Sequence, residues 1–293
     1  MQTTVAEALV GALPWVKKWA GRTAVVKYGG AAMERPELAE AVMRDLALLH
    51  AVGVRVVLVH GGGKAVSELG AKLGLKANFI DGLRVTDPET MRVAQLVQVG
   101  GISRDIVAAI GRAGGKALGL SGQDMGGWLR ARVRQHTDRQ SGLPVDLGRV
   151  GDVCSVDIGA LRAVLDAGWI PVVAPVAVDE AFESLNVNAD SVATAVAGAL
   201  RADKLVLLTD VDGIRGPDGA IAGVVRAGEL RGWIEGGAVS GGMIPKAEGC
   251  LEALAAGVRR VTVADGRRAH ALLLELFTDG GQGTMVVPDE DSP

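Results

Sequence analysis

Cysteine is scarce in this chain: Cys154 and Cys250 are the only two among 293 residues, and they lie far apart. That excludes a disulfide framework and gives no cysteine metal-ligand spacing. Aromatic residues make up 3% of the sequence, so the core must be built from Val, Leu, Ala and Ile. Neither sign of charge dominates, since 31 basic and 34 acidic residues leave a net charge of -3. Without a basic excess or an aromatic-plus-basic array, nucleic-acid binding has no electrostatic footing. No uninterrupted apolar run reaches the roughly 18 residues of a membrane span. The amino terminus lacks the early basic region of a secretory leader, carrying Glu7 and placing Lys17 and Lys18 after its apolar positions. A soluble protein in a reducing cytoplasm, with no nucleic-acid or membrane partner, is the expectation. Also missing are a G-x-x-x-x-G-K-[ST] loop and a G-x-G-x-x-G fingerprint in its strand–turn–helix setting.

What is present is a compact globular composition, with 48% hydrophobic and 22% charged residues. Val5, Leu9, Leu13 and Val16 recur at helical spacing, which predicts an opening helix over 5–20, with Pro14 able to kink it. Its apolar stripe could fold back on the core or dock on another subunit. From residue 23 strands and helices alternate. Strands are predicted at 23–28, 54–60, 117–120, 170–174, 205–208 and 260–264, with an edge strand at 284–287. Helices are predicted at 36–52, 63–74, 87–113 with a break at Gly100-Gly101, 156–167, 189–201, 245–257 and 270–277. Residues 125–154 are polar and irregular and read as a β-hairpin excursion. The alternation predicts an α/β fold, a largely parallel central sheet covered by helices on both faces as a three-layer αβα sandwich. Ligands of such sheets bind beyond the carboxyl ends of the strands.

Glycine clusters sit at those ends: Lys27-Tyr28-Gly29-Gly30 after the first strand and His60-Gly61-Gly62-Gly63 after the second. Backbone amides can approach an anion closely there, and a helix starting at Gly63 offers its positive end. A turn that only solves packing accounts for each cluster equally well. Lys27 closes an apolar strand, a costly place unless it reaches solvent or an anion. Lys246 follows Pro245 near the predicted start of a helix, where a cation is unfavourable unless an anion is shared. Asn188 and Asp190 lead into another helix, and capping explains both without any function. Arg84, in a polar turn, could grip a carboxylate with its two-pronged guanidinium or simply be solvated.

Taken together, the strings VVKYGG, LVHGGG, GLRVTD, LNVNAD, LLTDVDGI, SGGMIPK and HALLLELFTDGGQGT resemble, in order and over essentially the whole chain, the N-acetylglutamate kinases of the amino acid kinase family. The resemblance implies the amino acid kinase fold, with an oligomerisation helix at 1–22 and a kinase domain at 23–293. That domain would divide into a substrate-binding and dimerising lobe at about 23–180 and a nucleotide lobe at about 181–293. It implies ATP and Mg²⁺ as cofactors, and Lys27 and Lys246 as neutralisers of the transferring phosphoryl group, organised by Asp190. Gly62, Gly63, Arg84 and Asn186, with Asn188 nearby, would contact substrate. Gly29, Gly30, Thr209, Asp210 and Val211 would hold the nucleotide, and no protein-held metal is implied. Departures are Ala31 in place of Asn, Lys64-Ala65 in place of Pro-Gln, and a short stretch between Pro175 and Asn186. The acceptor carboxylate, with a pKa near ~4.3, is already ionised and needs no general base.

The opening helix, including Leu13-Pro14-Trp15, resembles that of arginine-inhibited relatives, which implies a homo-oligomer, dimers assembled into a hexamer as a trimer of dimers. The segment around His270, Glu275 and Gly283 resembles their arginine site, so arginine is the expected inhibitor. The rival readings are a kinase for carrier-bound aminoadipate or glutamate, and a non-catalytic arginine sensor that has kept the fold.

Overall fold

The computed structural model describes residues 2–278 and 280–290. Met1, Asp279 and residues 291–293, which fall within the two predicted spans, lie outside the described residues, as do the side chains of residues 2–5 and Ala31. Eight strands form the central sheet: β1 (Thr23–Tyr28), β2 (Arg55–His60), β3 (Ala117–Leu120), β4 (Ile170–Val173), β5 (Lys204–Thr209), β6 (Val224–Arg226), β7 (Val261–Asp265) and β8 (Gly283–Val287). Their order is β6-β8-β7-β5-β1-β2-β4-β3. Strands up to Val173 thus form one half of the sheet and those from Lys204 onward the other. Every pairing is parallel except β7 with β8.

Strands such as TAVVKY, RVVLVH and KLVLLT are apolar at successive positions because both faces of the sheet are covered. On one face Val25, Val57, Leu205 and Leu207 pack with Val192 and Val196 of α4 (Ala189–Leu200) and Cys250 and Ala253 of α5 (Ile244–Ala255). On the other, Val26, Leu58 and Val206 meet Leu46 and Leu49 of α2 (Pro36–Ala51), Ile106 and Ile110 of the helix Ser103–Arg112, and Leu272 of α6 (Ala271–Leu276). The three layers are those the alternation predicts. α1 (Gln2–Trp19) precedes them, with α3 (Gly63–Lys72) leaving the second glycine turn.

Three expectations need correction. There is no break at Gly100-Gly101: a π-helix, Leu96–Ile102, joins Pro88–Gln95 to Ser103–Arg112. Glycines without a Cβ fit the wider turn, and the Ser103 amide bonds the Gln98 carbonyl across it. The excursion at 125–154 is more than a hairpin. Leu129–Val133 and Val150–Val156 close a four-stranded barrel with Val176–Val178 and Ser184–Val187. The short stretch before Asn186 is therefore a barrel hairpin. Finally, β8 is not an edge strand, because β6, hidden in a Gly-rich polar stretch, flanks it. By length and composition the run Pro88–Arg112 is apolar enough to cross a bilayer, yet Met91, Val93, Ala94, Ile106 and Ile110 of it are buried in the fold.

The parallel strands β1, β2, β5 and β7 end on the same side of the sheet. Lys27–Gly30, Gly61–Gly63, Thr209–Val211 and Asp265–Arg267 are collected there along one rim.

Candidate active site

Lys27 shares its side of β1 with Val25, the face covered by α4 and α5. Asn188 caps α4, its side chain accepting from the amides of Asp190 at 2.7 Å and Ser191 at 3.4 Å. This cap puts Asp190 in the first turn, facing the sheet. The first turn of α5, opened with Pro245, presents Lys246 opposite. Lys27 Nζ lies 2.9 Å from Asp190 Oδ1, and Lys246 Nζ donates to Asp190 Oδ2 at 2.9 Å. Burial alone would raise the Asp190 pKa, but the two lysines hold its carboxyl below the ordinary aspartate value. One carboxylate between two ammonium groups leaves a net positive charge, and two helix N-termini add to it. The arrangement attracts an anion while fixing both lysines.

A Cβ at position 29 would lie 2.9 Å from Lys27 Nζ, so a larger residue there would push the end of the lysine away from its place in this triangle. Gly30 adopts φ +61°, open to glycine, and faces Asp210. The Gly61 amide donates to the Tyr28 carbonyl at 2.8 Å, tying the two glycine turns together. At Gly62 a Cβ would come within 2.7 Å of Ile102 Cδ1. His60, beneath that turn, is fully buried, and burial lowers its pKa to about 4. Its Nδ1 lies 2.8 Å from the Gly61 carbonyl, which only accepts, so the neutral ring carries its proton there. Lys64, one of the departures, donates to Glu34 at 2.9 Å.

Arg84 donates to the Gly63 carbonyl and to Ser67 Oγ, both at 2.7 Å, and stacks over Phe79. Thr86, which the sequence reading did not single out, accepts from Asn186 Nδ2 at 3.2 Å and donates to the Arg84 carbonyl at 2.9 Å. Gly62, Gly63, Arg84 and Asn186 are thereby linked by one chain of contacts. Asn188 instead spends its oxygen on the cap. Thr209 Oγ1 bonds Asp210 at 3.2 Å, and Val211 is partly exposed beside it.

The suggested effector residues are distributed around α6. His270 precedes it in a left-handed conformation, with Nδ1 2.6 Å from the buried carboxylate of Asp45. Glu275 is buried and engaged on both oxygens, by Lys204 Nζ at 2.5 Å, Thr262 Oγ1 at 2.8 Å and the Gln282 amide at 2.8 Å. Gly283 sits inside β8 at φ +154°, where a Cβ would lie 2.0 Å from the Val263 carbonyl oxygen. Lys204 was open to the same reasoning as Lys27, being a lysine in an apolar strand. A cavity of about 550 Å³, walled by Tyr28, Met43, Ile102 and Ile106, lies on the opposite face of the sheet from the lysine triangle.

Residues 22–265 match the amino acid kinase family. The acetylglutamate kinase of Symbiobacterium thermophilum is 50% identical over 285 residues, covering 96% of this chain and 97% of that one. The acetylglutamate kinase of Heliobacterium modesticaldum is 49% identical, covering 95% and 96%. Among solved structures, N-acetylglutamate synthase from Neisseria gonorrhoeae complexed with coenzyme A and N-acetyl-glutamate superposes with a TM-score of 0.84 at 30% identity, and the match covers 98% of this chain and 64% of the synthase chain. The same synthase complexed with coenzyme A and L-arginine gives 0.78 at 28% identity, covering 94% and 64%. Carbamate kinase from Giardia lamblia bound to AMP-PNP, at 16% identity and a TM-score of 0.66, covers 92% and 99% and shares the fold.

Proposed function

From the premise that the chain belongs to the amino acid kinase family, we propose that it transfers the γ-phosphoryl group of ATP to the side-chain carboxylate of N-acetyl-L-glutamate in arginine biosynthesis. The observation that carries this reading is the Lys27–Asp190–Lys246 triangle beside two glycine turns. A carboxylate acceptor is already a nucleophile at neutral pH, so the task is to bring one anion up to another. Lys27 and Lys246 neutralise the charge that develops on the phosphoryl oxygens, and Asp190 holds the two ammonium groups at fixed separation. Amides of Gly29 and Gly30 serve the nucleotide, with Thr209, Asp210 and Val211 along the same rim. Those of Gly62 and Gly63 serve the acceptor, and Arg84 and Asn186 orient its remaining polar groups. Among the described residues no three His, Cys, Asp or Glu side chains form a metal site. In this reading Mg²⁺ enters with the nucleotide as the substrate MgATP. The product is an acyl phosphate.

Division into an acceptor lobe at about 23–180 and a nucleotide lobe at about 181–293 belongs to the same reading, as does a cytoplasmic location. So does inhibition by arginine, which the arginine complex of the Neisseria synthase supports. Glu275 already accepts from Lys204 and Thr262 on one oxygen and from the Gln282 amide on the other, so arginine bound there would share or replace these contacts.

The test is MgATP-dependent acyl phosphate formation trapped with hydroxylamine, comparing N-acetylglutamate, glutamate, aspartate and N-acetyl-aminoadipate. Turnover is expected with N-acetylglutamate, and Lys27→Ala or Lys246→Ala should lower kcat about 100-fold or more. Absence of turnover with every acceptor, alongside arginine binding, would replace the kinase with a sensor.

A further inference from the structure

The turn after β7 carries a cation that the mechanism above does not use. The Asp265 carboxylate, 8% exposed, accepts both the Arg267 amide at 2.9 Å and Arg267 Nε at 2.8 Å, with Nη2 at 3.1 Å from its second oxygen. Nη2 also reaches Asp212, on the loop that follows β5. One buried carboxylate therefore orients the guanidinium from behind, as a supporting residue does for a ligand-binding group. No hydrogen bond engages Nη1 among the described residues, and the side chain is 43% exposed.

Its place in the fold matters more than its partners. The Gly266 amide donates to the Thr209 carbonyl at 2.7 Å, and a Cβ on Gly266 would lie 3.2 Å from both that oxygen and Ala32 Cβ. The Asp265–Arg267 turn is thus built against the nucleotide segment Thr209–Val211 and against the short helix leaving the Gly29-Gly30 turn. Asp210, in turn, faces Gly30. A half-exposed guanidinium with a free edge stands on the rim where a polyphosphate would lie, held meanwhile by the exchangeable carboxylate of Asp212.

We propose that Arg267 is a further ligand of the nucleotide, its guanidinium leaving Asp212 to take phosphate oxygens of the bound polyphosphate while Asp265 keeps it oriented. The proposal rests on the ATP reading above. The bland alternative is a tie between two loops, and the two differ in what Asp212 does. If Arg267 only ties loops, cutting the tie from either side has the same effect. If it binds phosphate, Asp212 is its competitor.

Titration calorimetry of ADP, adenosine and inorganic tripolyphosphate, without acceptor, separates these on the wild type, Arg267→Ala, Arg267→Lys and Asp212→Asn. Arg267→Ala should weaken ADP and tripolyphosphate about tenfold or more and leave adenosine within twofold, with Arg267→Lys between. Asp212→Asn should bind ADP as tightly as the wild type or tighter. The proposal is overturned if Arg267→Ala binds ADP within twofold of wild type, if Asp212→Asn loses as much as Arg267→Ala, or if adenosine falls in parallel. A wild type that binds neither ADP nor tripolyphosphate sinks it together with the ATP reading. ADP binding without turnover of N-acetylglutamate sinks only the acceptor and leaves the comparison readable.

Discussion

Lys27 and Lys204 carry the same signature in the sequence, a lysine set in an apolar strand, and the fold resolves them in opposite ways. Lys27 lies at the carboxyl end of β1 and shares Asp190 with Lys246. Lys204 opens β5, is 4% exposed and closes on Glu275, 71 residues away. Sequence pattern reveals that such a lysine needs an anion, but the partner is chosen by long-range packing. Lys204→Met leaves Glu275 charged and buried without its cation, so urea unfolding should show a loss of about 3–5 kcal/mol. Adding Glu275→Gln removes the stranded charge and should recover at least half of that. His60 supplies a second residue-scale expectation. Its folded pKa of about 4 lies below the unfolded value near ~6.5, so only the unfolded state gains the proton between them. Stability should therefore fall as pH drops from about 6.5 toward 4, by on the order of 3 kcal/mol. In His60→Leu the pH dependence of Tm across that window should flatten. A slope unchanged from wild type would assign it to other groups.

At the scale of elements, the sheet strands covered on both faces and the amphipathic helices were legible, because their periodicity is local. The barrel was not. Its strands share no common length or alternation, and what defines them is closure between Leu129–Val133 and Val176–Val178, some fifty positions on. The π-helix escaped for a related reason, since paired glycines look alike whether a helix stops or widens. Gly62, Arg84 and Asn186 were singled out by their strings, while Thr86, which joins them, has no signature beyond being a threonine in a turn. α1 belongs to this scale too. Leu9 and Val10 are 70% exposed and Leu13 48%, all on neighbouring positions of one helix. If α1 joins dimers, Leu9→Glu should reduce the mass measured by light scattering from hexamer to dimer, with kcat retained. An unchanged mass would remove α1 from the interface.

Across the whole molecule, the two halves of the chain meet where β1 pairs with β5, and the lysine triangle straddles that seam. Gly62, Gly63, Arg84 and Asn186 lie on one side of it and Thr209, Asp210 and Val211 on the other, with Gly29 and Gly30 at the seam itself. A parallel sheet produces this by itself, because strands that end together deliver their turns to one rim whatever their order in the chain. α5 brings Lys246 to the seam, and Cys250 stands one helical turn behind it, fully buried, with burial pushing its thiol up to about 12. Cys154 is exposed. A thiol-reactive dye should therefore label the chain in two phases, Cys154 at once and Cys250 only when α5 lifts from the sheet. Saturating MgADP should slow the second phase and leave the first untouched, making that single cysteine a clock for how often the nucleotide side breathes.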